Sequence, residues 1–174
     1  MSTQTDAPQD RDELLARIVA TREATLAFLD RLDDATLGDP RDAAGWNAQD
    51  HFYHLAVWRQ ILLARLRGEP EYRVVGLPDQ ASYRALCDSE DLRAINDHIA
   101  TRGRALGRDE VRALLIEVDD LLQADVSGRD FADLRATTRT ASGTSTSLLD
   151  AIAGDTYAHD PEHHTYIRRI IGEE

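Results

Sequence analysis

Apolar residues recur at helical spacing along most of the chain, and strand-like alternation never extends over a useful length. From Asp10 to Leu32, residues Leu14, Leu15, Ile18, Val19, Thr25, Leu26 and Leu29 form one stripe without Gly or Pro, which predicts a first helix. Gly38, Asp39 and Pro40 break the pattern. Asn47 then offers an N-cap, with Asp50 three residues on as the reciprocal partner of a capping box. The second helix runs from there to about Leu66 and ends at Gly68-Glu69-Pro70. Residues 68–90, with Pro70, Gly76 and Pro78, are predicted as a long connection of a length that suits a lid. Leu92 to Leu106 reads as helical, and Gly107 interrupts it. Arg108 to Val126 follows, with Val111, Leu114, Leu115, Val118, Leu121 and Leu122 on one face. Ser127 to Thr146, rich in Gly, Ser and Thr, suits a crossover. The last helix starts near Ser145 or Ser147 and reaches Ile171, interrupted only by Pro161. Four long amphipathic segments predict an all-α fold: a four-helix bundle with long connections between helices 2–3 and 3–4. Residues 1–10 are expected to be a flexible tail and residues 11–174 one domain.

Composition narrows the partners. Acidic residues outnumber basic ones 32 to 20, for a net charge of −12. Such a surface repels phosphate backbones and anionic lipid, so neither nucleic acid nor membrane is an expected partner. A small anionic substrate stays open, because a pocket can carry local positive charge or a metal. No run approaches the roughly 18 apolar residues of a membrane span, and Met1 to Asp10 lack the features of a signal peptide. The single Cys87 cannot form an internal disulfide, which suits a reducing, cytoplasmic setting. No motif around it marks a nucleophile, so it reads as an ordinary core or surface thiol.

The histidines change the picture most. At about 100° per residue, with His54 at zero, Trp58 falls near 40°, Ile61 near −20° and His51 near 60°. Both histidines of the second helix therefore share its apolar face. On the last helix, with His159 at zero, His163 lies near 40°, among Ile152, Tyr166 and Ile170, while His164 falls near 140° on the margin. His98 reads as a surface residue. An i, i+4 pair such as His159 and His163 can chelate one ion, and a third imidazole from a neighbouring helix completes a set that leaves positions for water or substrate. The plain alternative is that buried histidines are satisfied by hydrogen bonds and the pair arises by chance. Trp46, Trp58, Tyr157 and Tyr166 read as core or pocket wall. Pro161 bears on the pair: within a helix it crowds the carbonyl of Tyr157, or else Asp160 caps a fresh helix with Pro161 at its first position.

Gly45-Trp46-Asn47-Ala48-Gln49-Asp50-His51-Phe52-Tyr53-His54-Leu55-Ala56-Val57-Trp58 resembles the start of the second helix in the DinB-like superfamily of four-helix bundles, and within it the ClbS/DfsB-type branch. Arg11-Asp12-Glu13-Leu14-Leu15 and Thr156-Tyr157-Ala158-His159-Asp160-Pro161-Glu162-His163 are weaker matches near the two ends. In metal-binding members of that superfamily, one histidine of the second helix and a pair on the last hold Zn, Ni or a similar ion. By resemblance these are His54, His159 and His163 here. The resemblance also implies homodimers and, in several branches, thiol-cofactor chemistry, while the ClbS branch implies metal-free hydrolysis linked to toxin self-protection.

The expectation is thus a three-histidine divalent-metal site, Zn or Ni, serving a hydrolase or thiol transferase that acts on a small molecule. Asp50, Asp155 and Glu162 are candidates to orient a ligand or act as base, with Asp50 also explained as a cap. The alternatives are a metal-free hydrolase of the ClbS/DfsB kind and a non-catalytic small-molecule-binding protein.

Overall fold

The computed structural model describes residues 7–88, 92–139 and 145–173. The expected tail falls largely on residues 1–6, which lie outside the described residues, as do residues 140–144 of the crossover and 89–91 of the connection before it. In chain order the elements are α1 (Arg11–Arg31), α2 (Asp34–Gly38), α3 (Ala48–Arg67), α4 (Glu71–Val74), α5 (Gln80–Cys87), α6 (Arg93–Gly103), α7 (Arg108–Ser127), α8 (Phe131–Arg135), β1 (Thr137–Arg139), β2 (Ser145–Ser147), α9 (Leu148–Asp155) and α10 (Asp160–Ile171). The two strands form a short antiparallel ribbon, Thr137 opposite Ser147, inside the crossover.

The bundle is all-α. α3 packs against α7 on one side and α9 and α10 on the other, and α1 closes the square against α7 and α10. α3 is central, and among residues 50–64 only Gln60 is not buried. Its start is the anticipated capping box: Asp50 N donates to Asn47 Oδ1 at 2.8 Å and Asn47 N to Asp50 Oδ2 at 3.1 Å. Gly68, at φ 69°, ends it in the left-handed conformation that glycine adopts without strain. No helix among the described residues is long and apolar enough to cross a membrane.

Three expectations change. The described part of the expected 68–90 connection, residues 68–88, is not an open lid, because it folds into α4 and α5 and buries Val75 and Tyr83 in the main core. His98 is not a free surface residue; its Nε2 meets the Val75 carbonyl at 2.9 Å and ties α6 to this segment. The last helix is two helices. The chain turns at Thr156 (φ −134°, ψ −108°), and α10 begins at Asp160 with Pro161 in its first turn, where a missing N–H has no helical acceptor to lose.

The core has two apolar halves. One gathers Phe28, Leu29, Phe52, Leu55, Ile99, Leu115 and Ile167; the other Leu14, Ile18, Leu62, Leu66, Leu122 and Ile152. A polar layer stands at the changeover in each main helix: Thr25 of α1, Arg59 of α3, Asp119 of α7 and Asp160 of α10. All four are at most 1% exposed.

Candidate metal centre

α3 brings His51 and His54 to one end of the bundle, and the break before α10 brings His159 and His163 to face them. His163 Nε2 lies 3.0 Å from His159 Nε2, which lies 3.4 Å from His54 Nε2. The ligating nitrogens of all three fall within 4.8 Å of one another. Two imidazole nitrogens on one tetrahedral zinc, each bound at 2.0–2.1 Å, stand about 3.3 Å apart. These two separations bracket that value, so this donor set could hold a small divalent ion. His159 is the N-cap of α10 in helical backbone geometry and its carbonyl accepts from His163 N at 3.3 Å, so the pair spans one helical turn, as its spacing predicted, with the break at Thr156 lying before both.

Electrostatics keep these rings neutral. Burial lowers the pKa of His54 well below the usual histidine value, aided by His159 and His51. It also lowers His163, aided by His54 and His159, and lowers His159 against the opposing pull of Asp160 and Glu162. His51 falls to about 4 for the same reason, with Asp42 opposing. Neutral imidazole is the form that binds metal.

The triad opens into a cavity of about 550 Å³ whose walls include Trp46, Asn96, Tyr166, Asp42 and Glu162. Among the described residues that line it there is no Lys or Arg. The Trp46 ring centroid is 5.2 Å from that of His51 and 5.3 Å from that of His54, while Tyr166 stacks at 5.6 Å edge-on to His163. Trp58 leans on His54 and donates its Nε1–H to Asn96 Oδ1 at 3.1 Å. Tyr157 does not reach the site and lies under the Arg17 guanidinium.

The three candidate carboxylates separate. Glu162 lines the cavity and accepts from the Tyr166 hydroxyl at 2.7 Å. Asp50 is consumed as a cap, with Arg41 and Arg104 each 3.6 Å away. Asp155 is turned toward Arg65 at 3.8 Å, away from the histidines. His51, left out of the expected triad, touches it: its Nδ1 is 2.8 Å from His163 Nδ1.

Beneath the site lies a network that the sequence reading missed. Arg59 donates to Asp119 Oδ2 at 2.9 Å and to Asp160 Oδ2 at 2.5 Å. Thr25 Oγ1 donates to the same Asp160 oxygen and lies 2.9 Å from His164 Nε2. His164, placed on the margin by the helical wheel, is therefore buried. The pin from Arg59 to Asp160 fixes the residue next to His159, and so locates the start of α10. A signal was present: Arg59 falls on the Leu55-Leu62-Leu66 stripe and Asp119 on the Leu115-Leu122-Val126 stripe, opposite charges at core positions.

A helical bundle with inward histidines converging at the mouth of a cavity defines a class that can hold a divalent metal between its helices. The chain belongs to the DinB superfamily, which it matches over residues 17–167. Among solved structures, a protein from Streptococcus pneumoniae superposes with a TM-score of 0.72 at 17% identity, covering 93% of this chain and 90% of that one. A protein from Clostridium difficile 630 gives 0.69 at 16%, with coverage of 93% and 95%. The mycothiol-dependent maleylpyruvate isomerase gives 0.64 at 18%, covering 98% of this chain but 63% of that one. These likenesses establish a shared fold. No protein of curated function matches the chain.

Proposed function

We propose that the protein is a metal-dependent hydrolase of a small molecule, its ion held by His54, His159 and His163. The observation that carries the reading is the convergence of three neutral imidazoles, two buried and one half-buried, with Nε2 separations of 3.0 and 3.4 Å along the chain of contacts, on the wall of a cavity. A divalent ion held there, zinc or nickel by the nature of its nitrogen ligands, would lower the pKa of a bound water or thiol toward neutrality. The chain's own residues do the rest. Trp46 and Tyr166 offer aromatic surface to a substrate, and the Glu162 carboxylate, held by Tyr166, would take up the proton released by that water or thiol. With Asp42 and Glu162 on the walls and no cationic side chain among the described lining residues, the favoured substrate is uncharged or cationic. A thiol-dependent reaction is the second reading, supported by the fold shared with the mycothiol-dependent isomerase.

Protein purified without an affinity tag is expected to carry about one divalent ion per chain, as a three-ligand site requires. A His159→Ala/His163→Ala variant is expected to carry none by inductively coupled plasma mass spectrometry. Wild-type protein that stays metal-free after incubation with Zn²⁺ and Ni²⁺ rejects the reading. Substrate turnover that requires an added low-molecular-weight thiol selects the second.

A further inference from the structure

Of the three proposed ligands, only His163 has its second ring nitrogen engaged by another side chain among the described residues. His163 Nδ1 meets His51 Nδ1 at 2.8 Å, whereas His54 Nδ1 and His159 Nδ1 are buried without a protein partner. A contact between two such nitrogens holds one proton, so two neutral rings must adopt complementary tautomers. If His51 donates, His163 carries its own proton on Nε2, which then faces His159 and is closed to an ion. If His163 donates, its Nε2 is bare toward His159, and His51 accepts at Nδ1 and carries its single proton on Nε2.

Asp42 discriminates between these states. Its Oδ1 is committed to the backbone, accepting from Ala44 N and Trp46 N at 2.9 Å each. Its Oδ2 is left 3.5 Å from His51 Nε2, a buried atom with no closer partner among the described residues. That distance is long for a hydrogen bond. It is short enough for the carboxylate charge to favour an N–H over a lone pair on a ring that is 3% exposed. Trp46 and Tyr166 pack on the ring of His51, so the in-plane contacts are what choose its proton position.

We propose that Asp42 and His51 are positioning residues that hold His163 in its Nδ1–H tautomer, so that its Nε2 is ready for a divalent ion before one arrives. The consequence for affinity rests on the proposed metal site, but the tautomer does not, and the two are measured separately.

Long-range ¹H–¹⁵N correlation spectra of the metal-free, full-length protein with labelled histidines report which nitrogen of His163 carries the proton. Wild type is expected to show Nδ1–H. Asp42→Asn, which keeps an oxygen for the two backbone amides, is expected to give a mixture, and His51→Phe a shift toward Nε2–H. Zn²⁺ affinity, read by competition with a chromophoric chelator, is expected to fall about 10–100-fold in His51→Phe, the range for loss of a ligand's outer partner. His51→Asn, whose side-chain oxygen stands where Nδ1 stood, is expected to restore most of it. If the Phe variant does not fold, Asp42→Asn carries the test. Nε2–H in the wild type, or a tautomer unmoved by Asp42→Asn, overturns the proposal. A wild type that shows Nδ1–H yet binds no Zn²⁺ overturns the metal site and leaves the positioning role standing.

Discussion

At the scale of single residues, the greatest liability is the charge buried between the two halves of the core. Arg59 answers two carboxylates, Asp119 and Asp160, in a layer nearly closed to solvent. Burial lifts the Asp119 carboxyl to about 6 even with Arg59 beside it. Taking away the guanidinium strands both acids, and breaking such a pair costs about 3–5 kcal/mol. Arg59→Met is therefore expected to lower the unfolding free energy at pH 7 by that amount in urea titrations; a loss below about 1 kcal/mol, as for exposed pairs, shows that the layer is hydrated instead. Asp155 gives a pH-dependent counterpart. Burial raises its carboxyl to about 6 from the ordinary 3.8, with Arg65 offsetting only part. It also ends α9, where a negative charge opposes the helix dipole. The folded chain thus holds this proton more tightly than the unfolded chain, so stability falls as pH rises from about 4 to about 6 and stays lower above. At about 1.4 kcal/mol per pH unit the cost approaches 3 kcal/mol. Asp155→Asn is expected to raise the melting temperature at pH 7.5 and to give no gain at pH 4.

At the scale of elements, the question is what breaks the last helix. Pro161 draws the eye, yet in the first turn of α10 it removes a hydrogen bond that no helix would have made there. The break is held instead by the tie from Arg59 and Thr25 to Asp160, and by the Thr156 hydroxyl, which donates back to the Ile152 carbonyl at 2.5 Å. Pro161→Ala is expected to leave Zn²⁺ affinity within about threefold of wild type, under 1 kcal/mol by the usual conversion, while a tenfold loss assigns the break to the proline. This element also marks the limit of sequence reading. The capping box at Asn47 and Asp50 and the inward pair His51 and His54 were legible because local spacing determines them. The meeting of His159 with His163 was legible because one helical turn joins them, although the wheel gave no sign of the break at Thr156 just before the pair. Asp42 was invisible, because a loop carries no period and its Oδ2 meets His51 only after the turn at Gly45 and Trp46 has closed. The charged layer was written into the apolar stripes, but pairing Arg59 with Asp160 requires knowing which helices adjoin.

At the scale of the molecule, the triad joins α3, which packs against most of the fold, to α10, which reaches its neighbours across a break. An ion bound by both binds only the folded chain, and its free energy adds to that of folding. At a free concentration one hundred times the dissociation constant the gain is about 2.7 kcal/mol. For a chain of this size each kcal/mol moves the melting temperature by roughly 2–4 °C, so saturating Zn²⁺ is expected to raise it by about 5–11 °C. The net charge of −12 attracts divalent cations loosely all over the surface, which sets the control. Mg²⁺, a hard ion poorly served by imidazole, shares that diffuse attraction but not the site. A shift of equal size with Mg²⁺, or one that survives in His159→Ala/His163→Ala, assigns the stabilisation to surface charge. A shift confined to Zn²⁺ or Ni²⁺, reversed by chelator and absent in the double variant, assigns it to an ion that ties the start of α10 to the centre of the bundle.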